Sequence, residues 1–175
     1  MAAGAKGRMM LTIARADTTE DYAAAARFCR ELAELDVAHA KAIGIPHELV
    51  IALFHSGDDD LRQIYAPTDT RLFVATWAGS PAGCLGLMPF ADTEMELKKF
   101  FVDPAFRGKG VGRALIDRAL SEARDMGCGT VVLQTAVYLE SAIRVYEAAG
   151  FARCAPFRPV PNELVATDVF MRRAI

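Results

Sequence analysis

The chain has 175 residues, of which 53% are hydrophobic and 24% charged, with a formal net charge of −2. That length suits one domain with a sizeable core, and the composition excludes a disordered chain. The near-neutral charge argues against a protein that binds nucleic acid by neutralising phosphates, and no uncharged apolar run reaches the roughly 18 residues of a membrane span.

Residues 1–9 read as a flexible tail ahead of a domain spanning 10–175. They form no sustained apolar region of the signal-peptide kind, so a cytoplasmic location is expected. Leu11 to Ala16 reads as a first strand. Asp17, Thr18 and Thr19 are N-cap candidates for a helix over residues 21–36, where Phe28, Leu32 and Leu35 recur at helical spacing. Gly44 and Pro46 break the pattern, HELVIALFH resumes it, and Asp58-Asp59-Asp60 reads as a solvated loop. RLFVATWA and CLGLMPF, separated by the turn residues GSPAG, predict a hairpin. Glu94 to Val102 predicts a third strand of that meander, ended by Asp103-Pro104. A helix is expected from Lys109 to Met126, with Val111, Leu115, Ala119, Ala123 and Met126 on one face and Gly127 as its stop. TVVLQT is a buried strand by its β-branched run. Leu139 to Ala149 is a helix, FARC a short strand, and LVATDVFMRR a last strand after the loop PFRPVPNE. The order β-α-α-β-β-β-α-β-α-β-β implies an α/β fold with a mixed sheet flanked by helices.

The four cysteines, Cys29, Cys84, Cys128 and Cys154, form no C-x-x-C pair and read as buried thiols of a reducing compartment, not zinc ligands. His39, His47 and His55 are spaced by eight residues, but Gly44 and Pro46 interrupt the segment. That interruption argues against a metal site, and no metal is expected.

Gly108, Gly110 and Gly112 stand between Arg107, Lys109 and Arg113 at the start of a helix, where each glycine costs roughly 1 kcal/mol against alanine in the interior. A helix N-terminus offers unpaired N–H groups and positive partial charge, and glycines let an anion such as phosphate approach them. The spacing is neither G-x-x-x-x-G-K-[ST] nor G-x-G-x-x-G.

The run Arg107-Gly108-Lys109-Gly110-Val111-Gly112 fits Arg/Gln-x-x-Gly-x-Gly/Ala. With ELKKFFVDPAF before it, RALIDRAL after it, and TVVLQT followed by AIRVYEAAGF, the chain resembles the GCN5-related N-acetyltransferase (GNAT) family over nearly its whole length. The resemblance implies an acyl-CoA N-acyltransferase fold. It also implies a reaction moving an acetyl group from acetyl-CoA to an amine of a small molecule or peptide, by direct attack in a ternary complex. The glycine loop, Arg107 to Arg113 including Lys109 and Val111, would hold the pyrophosphate. Backbone groups near Phe101 and Val102 would hold the pantetheine arm, on a strand that in the family bulges away from its neighbour. Homodimers occur among relatives; neither a nucleic acid nor a membrane is an expected partner.

The resemblance also assigns roles. Tyr146 matches the family tyrosine near the sulfur, and a phenol stays protonated at neutral pH and can protonate a departing thiolate; otherwise it is a core-edge tyrosine. Glu96 matches an acidic position used as general base, with Glu94 a weaker competitor; otherwise it is a Glu paired with Lys98 or Lys99. Leu139 stands where many relatives have a cofactor-binding asparagine, so that contact is missing or comes from Thr135 or the Leu139 backbone. Arg158 is a candidate for binding a substrate carboxylate. A non-catalytic acyl-CoA-binding sensor is the alternative.

Overall fold

The computed structural model describes residues 10–175; the expected tail at 1–9 lies outside the described residues. Seven strands form one sheet: β1 Leu11–Arg15, β2 Arg71–Trp77, β3 Ser80–Ala91, β4 Glu94–Val102, β5 Thr130–Ala136, β6 Ala152–Arg153 and β7 Asp168–Ala174. Their order is β1-β2-β3-β4-β5-β7-β6, and β4–β5 is the parallel pair in an otherwise antiparallel sheet.

Helix α1, Thr19–Ala42, covers one face. Thr18 caps it with a reciprocal box: its hydroxyl accepts from the Asp21 N–H at 3.1 Å, and the Asp21 carboxylate accepts from the Thr18 N–H at 3.0 Å. The helix outruns the sequence expectation because Val37 to Ala42 contain no breaker before Gly44. HELVIALFH is not one regular helix. It forms α2, His47–Val50, and then a π-helical turn, Ile51–His55, that swings His55 inward. A 3-10 turn at Asp58–Asp60 leads into α3, Leu61–Ile64.

Helices α4, Val111–Asp125, and α5, Glu140–Ala148, cover the other face. The predicted stripe of α4 buries Val111, Leu115, Ala119 and Ala123 against Phe73, Leu85, Leu87 and Leu133, with Met126 half-buried. Burying each large aliphatic side chain there stabilises by about 1.5–3 kcal/mol. The helix begins at Val111, not Lys109, because Gly110 stands at φ +82° and breaks the helical run. The hairpin turn narrows to Ala78-Gly79, both at positive φ, with β3 starting at Ser80. The last strand starts at Asp168, not Leu164: Leu164 closes a 3-10 turn and buries its side chain against Ala40 and Val50. Cys29 and Cys84 are buried as expected, whereas Cys128 and Cys154 are half-buried; all four are free thiols.

A split in the sheet prepares the site. Along β3–β4, Cys84 faces Phe101 and Gly86 faces Lys98, so β4 carries an extra residue there. Lys99 stands at φ +57°, the left-handed region that a side chain rarely adopts. Pairing of β4 with β5 ends at Leu97–Leu133, although both strands run on. The expected bulge is thus present, and it opens a wedge between the parallel strands.

Candidate active site

The wedge separates two cavities. A groove of about 790 Å³ runs from the glycine loop along α4, α5 and the far end of β4. A smaller pocket of about 110 Å³ lies on the other side, beneath α1 and the Arg158 loop. Both are lined by Phe100, Leu139 and Ala142, which mark the point where they meet.

In the groove, the backbone N–H groups from Gly108 to Arg113 find no acceptor among the described residues; the next one, Ala114, donates to the Gly110 carbonyl at 3.0 Å. This row of donors, at the positive end of a 15-residue helix, is an anion cradle. The three glycines serve it differently. Gly108 and Gly110 stand at φ +74° and +82° with open space where a Cβ would point. Gly112 is buried, and a Cβ there would sit 3.1 Å from the Phe100 ring and 3.4 Å from Val102. Gly112 also lines the groove, but the space where its Cβ would point is filled by β4, so close packing of α4 on β4 is a second demand for glycine there.

Among the basic residues, Arg107 lines the groove and donates from Nε to the Val102 carbonyl at 3.1 Å. Arg113 also lines it, held by Asp117 and the Ala148 carbonyl. The Lys109 side chain instead lies over Trp77 and Phe106, leaving its backbone to the loop. Arg144, which the sequence reading missed, lines the groove from α5; the signal for it lay in its place in AIRVYEAAGF, one turn from Ser141. On β4 the Phe101 ring is buried beside Phe28. Because the Asp103 N–H donates to the Ala82 carbonyl, antiparallel alternation turns the N–H and carbonyl of Val102 toward the groove.

Tyr146 lines the pocket near the junction, packed against Phe100 and Phe151. Burial pushes its phenol above the ordinary value. Leu139 is the N-cap of α5, without a side-chain cap, and Thr135 lines the pocket but not the groove. Glu96 is buried on β4, and its Oε2 accepts from Arg158 at 2.8 Å with the Lys98 ammonium at 3.6 Å. Arg158 lies against Phe90 and Phe157. Its other nitrogen donates to Gln134 Oε1 at 3.2 Å, and Gln134 Nε2 donates to Asp168 at 2.6 Å.

The three histidines are not brought together. His39 stacks on Tyr138 in the groove wall, and His47 pairs with Glu48. His55 is buried between Asp36 at 2.8 Å and Asp58 at 3.1 Å. Burial disfavours its charge, but the two carboxylates outweigh that and raise its pKa to about 9. Asp58 is therefore no solvated loop residue: its side chain is largely buried and pairs with both His55 and Lys99. Among the described residues no group of His, Cys, Asp or Glu is arranged to hold a metal ion, and no helix is long and apolar enough to cross a membrane.

Comparison with known proteins meets this geometry. The model of the acetyltransferase (GNAT) family matches residues 45–151, a span that includes β4, the glycine loop, β5 and α5. The chain belongs to the acetyltransferase (GNAT) family. It is an acetyl-CoA-dependent N-acetyltransferase, so the family, fold and enzyme class expected from the sequence hold. An IAA acetyltransferase of Azospirillum brasilense is 39% identical over 117 residues, covering 65% of this chain and 73% of that one. A GNAT acetyltransferase from Staphylococcus aureus superposes with a TM-score of 0.68 at 17% identity, over 94% of this chain and 98% of that one. A Salmonella typhimurium protein solved with its cofactor acetyl-CoA superposes at 0.61 with 24% identity, over 94% of each chain. At these identities the two structures speak for the GNAT fold alone.

Proposed function

We propose that the protein transfers an acetyl group from acetyl-CoA to a primary amine of a small molecule or peptide, by direct attack while both are bound. The observation that carries this is the junction at Phe100, Leu139 and Ala142, where a groove headed by unpartnered N–H groups meets a separate polar pocket. Two reactants held at one junction gain proximity without a covalent relay. No cysteine lines either cavity among the described residues, which favours direct transfer over an acetyl-cysteine.

The residues fit the donor. Gly108 to Arg113 would take the pyrophosphate on backbone N–H groups, with Arg107, Arg113 and Arg144 adding charge. Val102 would pair with the amide-bearing arm. Bound there, acetyl-CoA supplies an activated thioester. Tyr146 then holds its proton at the phenol oxygen, ready for the leaving sulfur. Phe100, Leu139 and Ala142 exclude water from the junction, and Leu139 leaves the arm without the side-chain amide that relatives use.

Calorimetric titration with acetyl-CoA, with ATP and NAD as controls, tests the groove; thiol release with a panel of primary amines tests the reaction. Micromolar binding by acetyl-CoA alone and turnover of an amine are expected. Binding without any turnover would favour a sensor, and no binding by a folded sample would remove the donor.

A further inference from the structure

Resting on the acetyl-transfer reading above, we infer that Asp168 is the carboxylate that receives the acceptor's ammonium and takes its proton. Glu96, on this view, is the anchor of Arg158. Three features separate the two carboxylates.

The first is position along the sheet. Glu96 faces Val132 on β5, whereas Asp168 faces Ala136, the last residue of that strand. Four residues of strand are about 13 Å, at roughly 3.3 Å each. Asp168 thus stands at the open end of the wedge, level with the junction, and Glu96 stands where β4 and β5 are still paired.

The second is pairing. Oε2 of Glu96 is held by Arg158, with Lys98 beside it, so a proton on Glu96 would leave two cations without the carboxylate charge they pair with. No cation among the described residues pairs with Asp168. Among the described residues its one polar side-chain partner is the Gln134 amide, on Oδ2, which leaves Oδ1 for a ligand.

The third is how that amide is held. Arg158 donates to Gln134 Oε1, which turns Gln134 Nε2 toward Asp168. The chain Glu96–Arg158–Gln134–Asp168 crosses one sheet face and fixes the Asp168 carboxylate with a neutral donor. Arg158 is a positioning residue in it. Burial raises the Asp168 pKa from its ordinary value, toward the range where a carboxylate is an effective base. Besides Asp168, the charged or titratable groups lining the pocket are Asp36 from α1, His55 from the π-helical turn, Tyr138 from the β5–α5 connection, Tyr146 from α5, Glu96, Lys98 and Lys99 from β4, and Arg158. The cations among them, Lys99 included, are engaged by Asp36, Asp58 and Glu96.

In the step itself, an N–H bond of the ammonium breaks, its proton bonds to Asp168 Oδ1, and the electron pair left on nitrogen forms a bond to the thioester carbon; the carbon–sulfur bond breaks, and its electron pair leaves with the sulfur, which takes the Tyr146 proton. Asp168 returns that proton to solvent. The second proton lost from nitrogen replaces the one Tyr146 gives to the sulfur.

The test uses the full chain and unbranched primary alkylamines and diamines as probes, choosing the amine with the highest turnover. D168N should bind acetyl-CoA as the wild type does, yet lose about 10²–10⁴-fold in kcat and lose the acidic limb of the kcat–pH profile. E96Q should keep that limb. D168E, the second variant should D168N fold poorly, should retain part of the rate with the limb displaced. Carboxyl carbon NMR should show Asp168 titrating above the ordinary Asp value, at the pH of the limb. If D168N keeps the wild-type rate and limb, or E96Q abolishes the limb, the assignment is overturned. If the wild type binds no acetyl-CoA or acetylates no amine, the acetyl-transfer reading itself fails, and Asp168 has no ammonium to serve.

Discussion

Lys99 Nζ donates to the Phe54 carbonyl at 2.7 Å, tying the bulge of β4 to the π-helical turn beneath α1. Lys99 also pairs with Asp58, and its own carbonyl accepts from the Cys84 thiol at 3.2 Å. A lysine at φ +57° is strained, and this tether offsets the strain that opens the wedge. Lys99→Met keeps the chain length and removes the charge, leaving Asp58 with His55 alone. Breaking one partner out of a buried pair costs about 3–5 kcal/mol. Thermal melts should fall by roughly 6–20 °C for a chain of this size, with weaker acetyl-CoA binding as the bulge relaxes. An unchanged melt with unchanged binding would show that the bulge holds itself.

His55 makes stability depend on pH. Its folded pKa is about 9, above the ordinary value near 6.5, so the folded state binds the extra proton between those limits. The contribution is fully present below about pH 6.5 and is lost as pH rises through 9. The groups facing it are Asp36 from α1, Asp58 on the following turn, and Lys99 beyond Asp58. Urea unfolding of the wild type should lose on the order of 2 kcal/mol between about pH 6.5 and 9.5 relative to His55→Gln. Parallel curves for the two proteins would mean that His55 is not held as a cation.

Much of this architecture was legible because its signals are local. The helical stripe of α4, the β-branched run of β5 and the glycine loop read directly, as did the order of elements around the wedge. What was hidden depends on residues far apart in the chain. The bulge is set by Lys99 meeting Phe54 and Asp58, and nothing in EMELKKFFV marks which residue turns left-handed. Asp58-Asp59-Asp60 looked like solvent-facing charge because the partners of Asp58, His55 and Lys99, converge only on folding. Glu96 and Arg158 stood out separately, but their pairing, and Gln134 and Asp168 beyond it, required the register of β4, β5 and β7.

Two glycine substitutions separate ligand access from packing. Gly110→Ala places a side chain at φ +82° with no neighbour to strike, so it costs about 1 kcal/mol of backbone strain and tilts the donor row. Acetyl-CoA affinity should fall more than stability. Gly112→Ala drives a Cβ toward the Phe100 ring and Val102, an overpacking that costs about 1–3 kcal/mol. Its melt should fall first, with binding following through the displaced Phe100. Equal effects on binding and melting in both variants would mean that the two glycines share one role.

Tyr146→Phe removes one oxygen at the junction. The ring stays packed between Phe100 and Phe151, so folding should change little. Because burial holds the phenol protonated throughout the working range, the hydroxyl acts as a donor and not as a second base. Without it the thiolate leaves unprotonated, and kcat should fall about 10²–10⁴-fold while acetyl-CoA affinity stays near that of the wild type. A donor that does not titrate in that range lowers the kcat–pH profile without reshaping it, so the acidic limb assigned above to Asp168 should remain. Loss of rate with the limb kept, against loss of rate with the limb removed, gives the two ends of the proton path separate signatures. A variant that keeps its rate, with the chemical step shown to limit turnover, would leave Tyr146 as packing for Phe100 and nothing more.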